Sequence, residues 1–418
     1  MFPGRPLTLC ALILLLSALL PSPVTADRVD RLIEAQLKRQ NIPGLALAVM
    51  RDGRVIKARG YGMADVELGV RATERSAFQW ASVSKQFTGA AILLLAEDGR
   101  LKLSDPVRVH YTNAPVAWSN VTIHHLVTHT SGIKSYTALP EFVPTVRKDY
   151  QPEELLDLVR HHPLEFVPGE KWSYSNTGYF LLGLIIEKAS GQSYGDFLAA
   201  RIFKPAGMTT ARVNHQFELI ENRVTGYNRS QSNRWLRSEF VSPTQPYAAG
   251  ALLGRVLDLA KWDAALRPGG IFSDHARELM WTPVKLNNGR TFPYGYGWQL
   301  GEIRGYPFVG HGGGIDGFST FILRLTREKL TVIVLINAGA DSQGMAVRVA
   351  DQYVPGLTRG SMKPQPDKDP ELSARLWQCL SDMAETKDSK MLTPAFRSDF
   401  ARSQRRHAAL REDLRLME

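Results

Sequence analysis

The sequence predicts an α+β fold: an antiparallel sheet built from both chain ends, flanked by helices, with a mainly helical lobe inserted between the two groups of strands. Three observations lead there. LALAVMRDGRVIKARGYG, residues 45–62, reads as two strands joined by Asp52-Gly53, a strong hairpin signal. The middle of the chain carries helical apolar spacing, at about 84–97, 152–161, 177–189, 194–203 and from about Asp258. From Tyr294 the pattern returns to strands: YGYGWQLGEI, YPFVGHGG, GFSTFILRL and KLTVIVLINAG, separated by Gly-containing or charged turns.

In chain order, residues 1–26 read as a signal peptide. Arg5 supplies a positive start, Leu7–Leu20 an apolar run, and Val24-Thr25-Ala26 a small-residue cleavage site. The apolar run of about 14 residues is short for a bilayer span of roughly 20, so an uncleaved anchor is the lesser alternative. DRVDRLIEAQLKRQ (27–40) has amphipathic helical spacing, stopped by Ile42-Pro43-Gly44. The hairpin follows, then the helical lobe, the later strands, and a helix from about Gln343 to Tyr353. Residues 27–355 therefore read as one domain. VPGLTRGSMKPQPDKDP, rich in Pro, Gly and charge, makes 356–370 a linker, and 371–418 a helical appendage without chemistry.

Composition narrows the function classes. Hydrophobic residues at 44% and charged residues at 22% suit a globular protein with a sizeable core. The net charge of +10 is spread along the chain and lacks the Arg and aromatic interleaving of a nucleic-acid binder. Cleavage after Ala26 would remove Cys10 and leave Cys379 as the single thiol, so no internal disulfide is expected. His125 and His129 are four apart, but no acidic residue lies between them in the zincin pattern, and a packing or capping role is expected of them.

Chemistry is expected where WASVSKQFTGAAILLLAEDG (80–99) places Ser82 and Lys85 at the mouth of an apolar helix. Positions three apart share a helix face, so the Ser82 hydroxyl can meet the Lys85 amine. Burial disfavours the charged amine and makes a lysine usable as a base. The backbone N–H of Ser82 can serve an oxyanion. A second Ser-x-x-Lys match, Ser131–Lys134, lacks a following helical run. Of two Tyr-x-Asn triplets, Tyr111–Asn113 runs into Ala114-Pro115 as a turn, whereas Tyr174–Asn176 stands at the entrance of the apolar helix TGYFLLGLIIEKASG. GHGGGIDGF (310–318) has too many glycines for pure packing and suits close approach of a ligand backbone, with His311 as a titratable head.

SVSK, YSN and HGG, in that order, resemble the three motifs of the serine β-lactamase and penicillin-binding family. Flanking phrases LVTHTSGI, PGEKWSYSNTGYFLLGLIIEKASG and FKPAGM fit too, over roughly residues 30–355. Within the family the chain resembles the class C branch with its esterase, D-aminopeptidase and DD-peptidase relatives. The resemblance implies a β-lactamase/transpeptidase-like fold, Ser82 as the acylated nucleophile, Lys85 as its base and Tyr174 as the proton relay. It implies Asn176 as the residue that orients Lys85 and bonds the substrate amide. The HGG segment, His311, Gly313 and Gly314, would bind substrate, and the oxyanion donors would be the N–H groups of Ser82 and Gly314. The family's usual Lys-Thr-Gly or Lys-Ser-Gly is His311-Gly312-Gly313 here, and no Ser-Asp-Asn occurs.

The expectation is an exported, periplasmic or secreted serine hydrolase acting on a small-molecule ester, amide or peptide, with no metal or organic cofactor, no nucleic-acid partner, and membrane contact only through an uncleaved signal. A class C-type β-lactamase or DD-peptidase is the alternative within the class, and a catalytically silent envelope-binding protein the alternative outside it. An unperturbed His311, with a pKa of about 6.5, would be mostly neutral at pH 7. Protonation towards pH 6 would then favour carboxylate-bearing substrates, and neutral esters or amine-bearing D-amino-acid amides would be preferred at pH 7.

Overall fold

The computed structural model describes residues 27–232, 234–358, 367, 369–385 and 392. The expected signal peptide lies outside the described residues, as does most of the expected linker and of the stretch after Ala384. The chain divides into two compact units at Thr358.

In the first unit, helix α1 (Arg28–Gln40) is opened by a capping box between Asp27 and Asp30. The hairpin β1 (Gly44–Arg51) and β2 (Arg54–Asp65) turns at Asp52-Gly53, and β3 (Val70–Arg71) pairs with β2. After β4 (Ala77–Gln79) a 3₁₀ turn, Ala81–Val83, leads into the apolar helix α2 (Ser84–Glu97). The lobe follows with α3 (Ile123–Val127), α4 (Pro152–Arg160), α5 (Asn176–Ser190), α6 (Tyr194–Leu198) and β5 (Arg212–Val213). It continues with β6 (Leu252–Arg255), α7 (Val256–Ala265) and α8 (Asp274–Met280). Strands β7 (Gln299–Ile303), β8 (Tyr306–Ile315), β9 (Phe318–Leu325) and β10 (Leu330–Ile336) then complete the sheet, and α9 (Ser342–Asp351) closes the unit.

The main sheet is antiparallel in the order β7-β8-β9-β10-β1-β2-β3. The two chain ends meet at its centre, where β10 pairs with β1 in the register Leu47↔Val334. Alternate residues point to opposite faces and both faces are packed, so these two strands are apolar apart from Arg51 and Thr331. Leu45, Leu47 and Val49 pack with Val332, Val334 and Ile336 in one core with Val29 and Ile33 of α1 and Met345 and Val349 of α9. Ala46, Ala48 and Met50 join Ile333 and Leu335 in the other core, which runs into the lobe through Trp80, Phe87 and Trp262. Each fully buried aliphatic side chain there contributes about 1.5–3 kcal/mol.

Three expectations about elements are adjusted. The strand expected from Tyr294 begins only at Gln299, because the preceding loop presses on α2 and α8: Gly297, at φ +80°, comes so close to the Lys85 carbonyl that any Cβ would collide with it. The helix from Tyr194 is α-helical to Leu198 and then widens into a π turn, Ala199–Phe203. Ser82 lies in the 3₁₀ turn just ahead of α2 rather than in its first turn.

The second unit contains helix α10 (Pro370–Ala384), with Pro at its first turn and the Asp369 side chain accepting from the Leu372 N–H.

Candidate active site

The turn carrying Ser82 is built against both the sheet and the lobe. The Trp80 N–H donates to the Leu252 carbonyl at 2.8 Å, and Thr320 Oγ1 of β9 donates to the Trp80 carbonyl at 2.9 Å. Between these anchors Ala81 adopts φ +47°, a left-handed conformation that costs a non-glycine residue about 1–2 kcal/mol. Strand β8 approaches from the other side. Its residues 306–310 pair with β7, but 311–315 pair only with β9, so the second edge of that stretch is free to meet the turn. Contact is close at Gly313, where a Cβ would collide with Thr320 Oγ1 and the Trp80 carbonyl and stand 3.1 Å from the Ser82 nitrogen. A side chain there would push the Ser82 turn off the strand.

Lys85, the second residue of α2, is fully buried. Its Nζ lies 2.7 Å from the Ala249 carbonyl, 2.8 Å from Asn176 Oδ1 and 3.1 Å from Ser82 Oγ. Burial, with no carboxylate to offset it, holds the amine well below its ordinary pKa. A neutral amine has two N–H bonds and one lone pair. The Ala249 and Asn176 oxygens are acceptors only, so they take the two hydrogens, and the lone pair faces the Ser82 hydroxyl. Asn176 is itself held by Thr137, whose Oγ1 accepts from Nδ2 at 3.0 Å.

Tyr174 stacks its ring 4.7 Å from Lys85 Nζ, and its hydroxyl bonds the Ser82 side chain. Burial raises the Tyr174 pKa above its ordinary value, more than the Ser82 hydrogen bond lowers it. The two groups are thus poised in opposite senses, an amine held neutral and a phenol held protonated.

His311 is 2% exposed, its ring 6.3 Å from that of Tyr174. Its Nδ1 lies 2.6 Å from the Gly312 carbonyl, so Nδ1 carries the proton, and Nε2 accepts from the Tyr294 hydroxyl at 3.0 Å. Burial, reinforced by Lys85, pushes its pKa down to about 3. The expectation of a histidine that protonates near pH 6 and grips a carboxylate is therefore corrected: a site this dry disfavours the imidazolium.

Of the four residues expected to bind substrate, Asn176 and Gly314 line the cleft beside Ser82, whereas Gly313 packs against the Ser82 turn and His311 bonds Tyr294. The cleft encloses about 250 Å³, and Tyr136, Phe142, Val146, Val241 and Ile315 form its apolar walls. The rival motif stands apart from this chemistry: Ser131 is buried, its Oγ accepting from the Ile133 N–H, and the Lys134 carbonyl accepts from Thr177. His125 caps α3.

Sequence reasoning gave His129 a packing or capping role but missed its place beside Tyr174, and it missed the bond of Tyr294 to His311. His129 sits at φ +60°, fully buried, its ring 4.3 Å from that of Tyr174 and 4.9 Å from those of Tyr179 and Tyr294. Its carbonyl accepts from the Ser173 N–H and its Nδ1 from the Ser175 N–H, so it organises the Tyr-Ser-Asn segment from both flanks. Burial holds it neutral, well below its usual pKa. No spacing in the sequence connects position 129 with 174 or 294; only the polar run Thr128–Ser131 ahead of Gly132 marks it as unusual.

Comparison with known proteins identifies relatives of this chain. Residues 29–353 match the Beta-lactamase family model. The chain is 33% identical over 334 residues to penicillin-binding protein 4* of Bacillus subtilis, covering 75% of this chain and 72% of that one. Among solved structures, the octameric penicillin-binding protein homologue from Pyrococcus abyssi superposes with a TM-score of 0.70 at 30% identity, covering 78% of this chain and 77% of that one. The D-stereospecific amidohydrolase from Streptomyces sp. superposes with a TM-score of 0.62 at 27% identity, covering 75% and 94%.

Proposed function

The chain belongs to the beta-lactamase family of serine hydrolases, and from that premise we propose that it is an exported enzyme cleaving ester or amide bonds, of the D-amino-acid peptide type, through a Ser82 acyl-enzyme. One observation carries the reading: a fully buried amine, bonded to two acceptor-only oxygens, lies 3.1 Å from a serine hydroxyl. Lys85 takes the Ser82 proton as Oγ attacks the carbonyl carbon. The carbonyl π pair moves to oxygen, beside the N–H groups of Ser82 and Gly314. As the tetrahedral species collapses, the alcohol or amine departs with a proton relayed through the Tyr174 hydroxyl. Water then adds to the ester carbonyl, giving its proton to the same pair of groups, and the acid leaves with Ser82 reprotonated.

Two further observations support the substrate side. A neutral, buried His311 offers a substrate carboxylate no charge, which favours esters and amides over penicillins and cephalosporins. A Streptomyces relative of the same fold is a D-stereospecific amidohydrolase. The signal-like segment ahead of Asp27 supports placement in the periplasm or outside the cell. The test is covalent labelling by a fluorophosphonate with peptide mapping. The adduct is expected on Ser82, absent in Ser82→Ala and retained in Ser131→Ala; an adduct on Ser131 ends the assignment. Rates on p-nitrophenyl esters, D-alanine amides and a chromogenic cephalosporin, compared as kcat/KM at pH 7, then rank the substrates.

A further inference from the structure

The Ser82 cleft is apolar apart from a few hydrogen-bonding groups, and its wall includes one formally charged side chain among the described residues, Asp316. This carboxylate also lines a second cavity of about 310 Å³, and the two spaces share Val241, Ile315 and Asp316 as a common wall. Asp316 thus stands on the wall that the Ser82 cleft shares with the second cavity.

Its partners leave the charge unneutralised. Asn228 Nδ2 donates to both Asp316 oxygens at 2.9 Å, and the Glu239 N–H donates to Oδ2. These donors are neutral. They fix the carboxylate in one orientation without cancelling it, and an ionised carboxylate has acceptor capacity left beyond them. The neighbouring ionic groups are engaged elsewhere: Arg237 forks onto Glu67 at 2.7 and 2.8 Å, and Glu239 pairs with Arg147. Arg223 donates to Asn214 Oδ1 and to the His215 carbonyl. No cation forms an ion pair with Asp316 among the described residues.

We propose that Asp316 is a specificity-determining residue that selects acyl donors carrying an ammonium group beside an apolar side chain. The inference rests on Ser82 being the nucleophile and names the substrate class of that same site. The apolar walls take the side chain, Ser82 takes the carbonyl, and the fixed carboxylate takes the ammonium. A donor bearing a carboxylate at that point meets repulsion instead. A charge-assisted hydrogen bond at a part-exposed group discriminates by about tenfold.

The test uses a matched pair, D-phenylalanine methyl ester and methyl 3-phenylpropanoate, which differ only in the ammonium-bearing amine. Hydrolysis is followed by pH-stat, and each kcat/KM is divided by that ester's own hydroxide-catalysed rate to remove intrinsic reactivity. The wild-type ratio is expected to favour the amino ester about tenfold or more, and Asp316→Asn to lower that ratio about tenfold. A wild-type ratio near one, or an unchanged ratio in Asp316→Asn, overturns the proposal. If the variant does not fold, inhibition of the wild type by D-phenylalaninol and by 3-phenylpropan-1-ol decides: tighter inhibition by the amine supports it, and equal inhibition constants overturn it. Failure of the hydrolase reading looks different, since a fluorophosphonate would then leave Ser82 unlabelled whatever the ratio.

Discussion

Asp30 and Lys85 are both buried, and their surroundings are opposite. Asp30, in α1, is 1% exposed and receives Lys57 Nζ at 2.7 Å, Arg59 at 2.9 Å and the Tyr61 hydroxyl at 2.6 Å. Burial by itself would raise the Asp30 pKa, but hydrogen bonds from Lys57, Tyr61 and the Asp27 backbone bring it down to about 2. Lys85 is equally buried but has only neutral oxygens around its amine, so burial acts unopposed. The first arrangement locks a charge in place and joins α1 to the sheet. The second makes a charge unwelcome and so leaves a base at neutral pH. Counter-ions mark the structural burial, and their absence marks the chemical one.

The largest expected effect tests the chemical member of this pair. Lys85→Arg keeps a cation but cannot give up its proton, so kcat/KM on a neutral ester should fall about 10³–10⁴-fold, nearly as far as in Lys85→Ala. Near wild-type turnover in the Arg variant would break the contrast, because some other group would then activate Ser82. Next comes the structural member. Asp30→Ala removes the buried anion that Lys57, Arg59 and Tyr61 share, while Lys57 keeps Asp27 and Arg59 keeps water, so it should cost about 1–3 kcal/mol in urea unfolding. The folded fraction should keep its kcat/KM. A loss of activity without a loss of stability would reverse the roles assigned here.

The smallest effect is a pH window that separates the two regions. His311 binds a proton more readily unfolded, near 6.5, than folded, at about 3. Stability therefore rises with pH across that interval and is lost as pH falls below about 6.5, by at most about 1.4 kcal/mol per unit for one group. Asp30 shifts in the same downward sense but in a lower window: its contribution is complete above its unfolded value of 3.8 and is lost as pH falls towards 2. Urea midpoints measured from pH 7 to 4.5 should decline, and the slope should flatten in His311→Gln while persisting in Asp30→Asn. Equal flattening in both variants would show that the two windows are not distinct.

Much of the site was legible because its key contacts are local. Ser82 and Lys85 are one helical turn apart, Tyr174 and Asn176 flank one helix start, and the glycines of β8 signal a backbone approach wherever the strand lies. The two ends of the sheet were legible from strand-like runs at both ends of the described unit. What stayed hidden depends on contacts across long sequence separations. Position 129 meets 174 and 294 only in three dimensions, and the loop at 294–298 departs from strand geometry because α2 and α8 press on it.

The sequence by itself determined the class of fold, the order of the motifs and the pair Ser82–Lys85, since periodicity and short spacing are properties of the chain alone. Tertiary structure decided the protonation states. Whether His311 is a titrating head or a neutral strut, and whether Lys85 is a cation or a base, depends on how much water and which partners surround each group. The same holds for Asp316, one acidic residue among many in the sequence, which only packing brings to the wall of the Ser82 cleft without a counter-ion. Dielectric and partner geometry are set by residues far apart in the chain, and no local pattern encodes them.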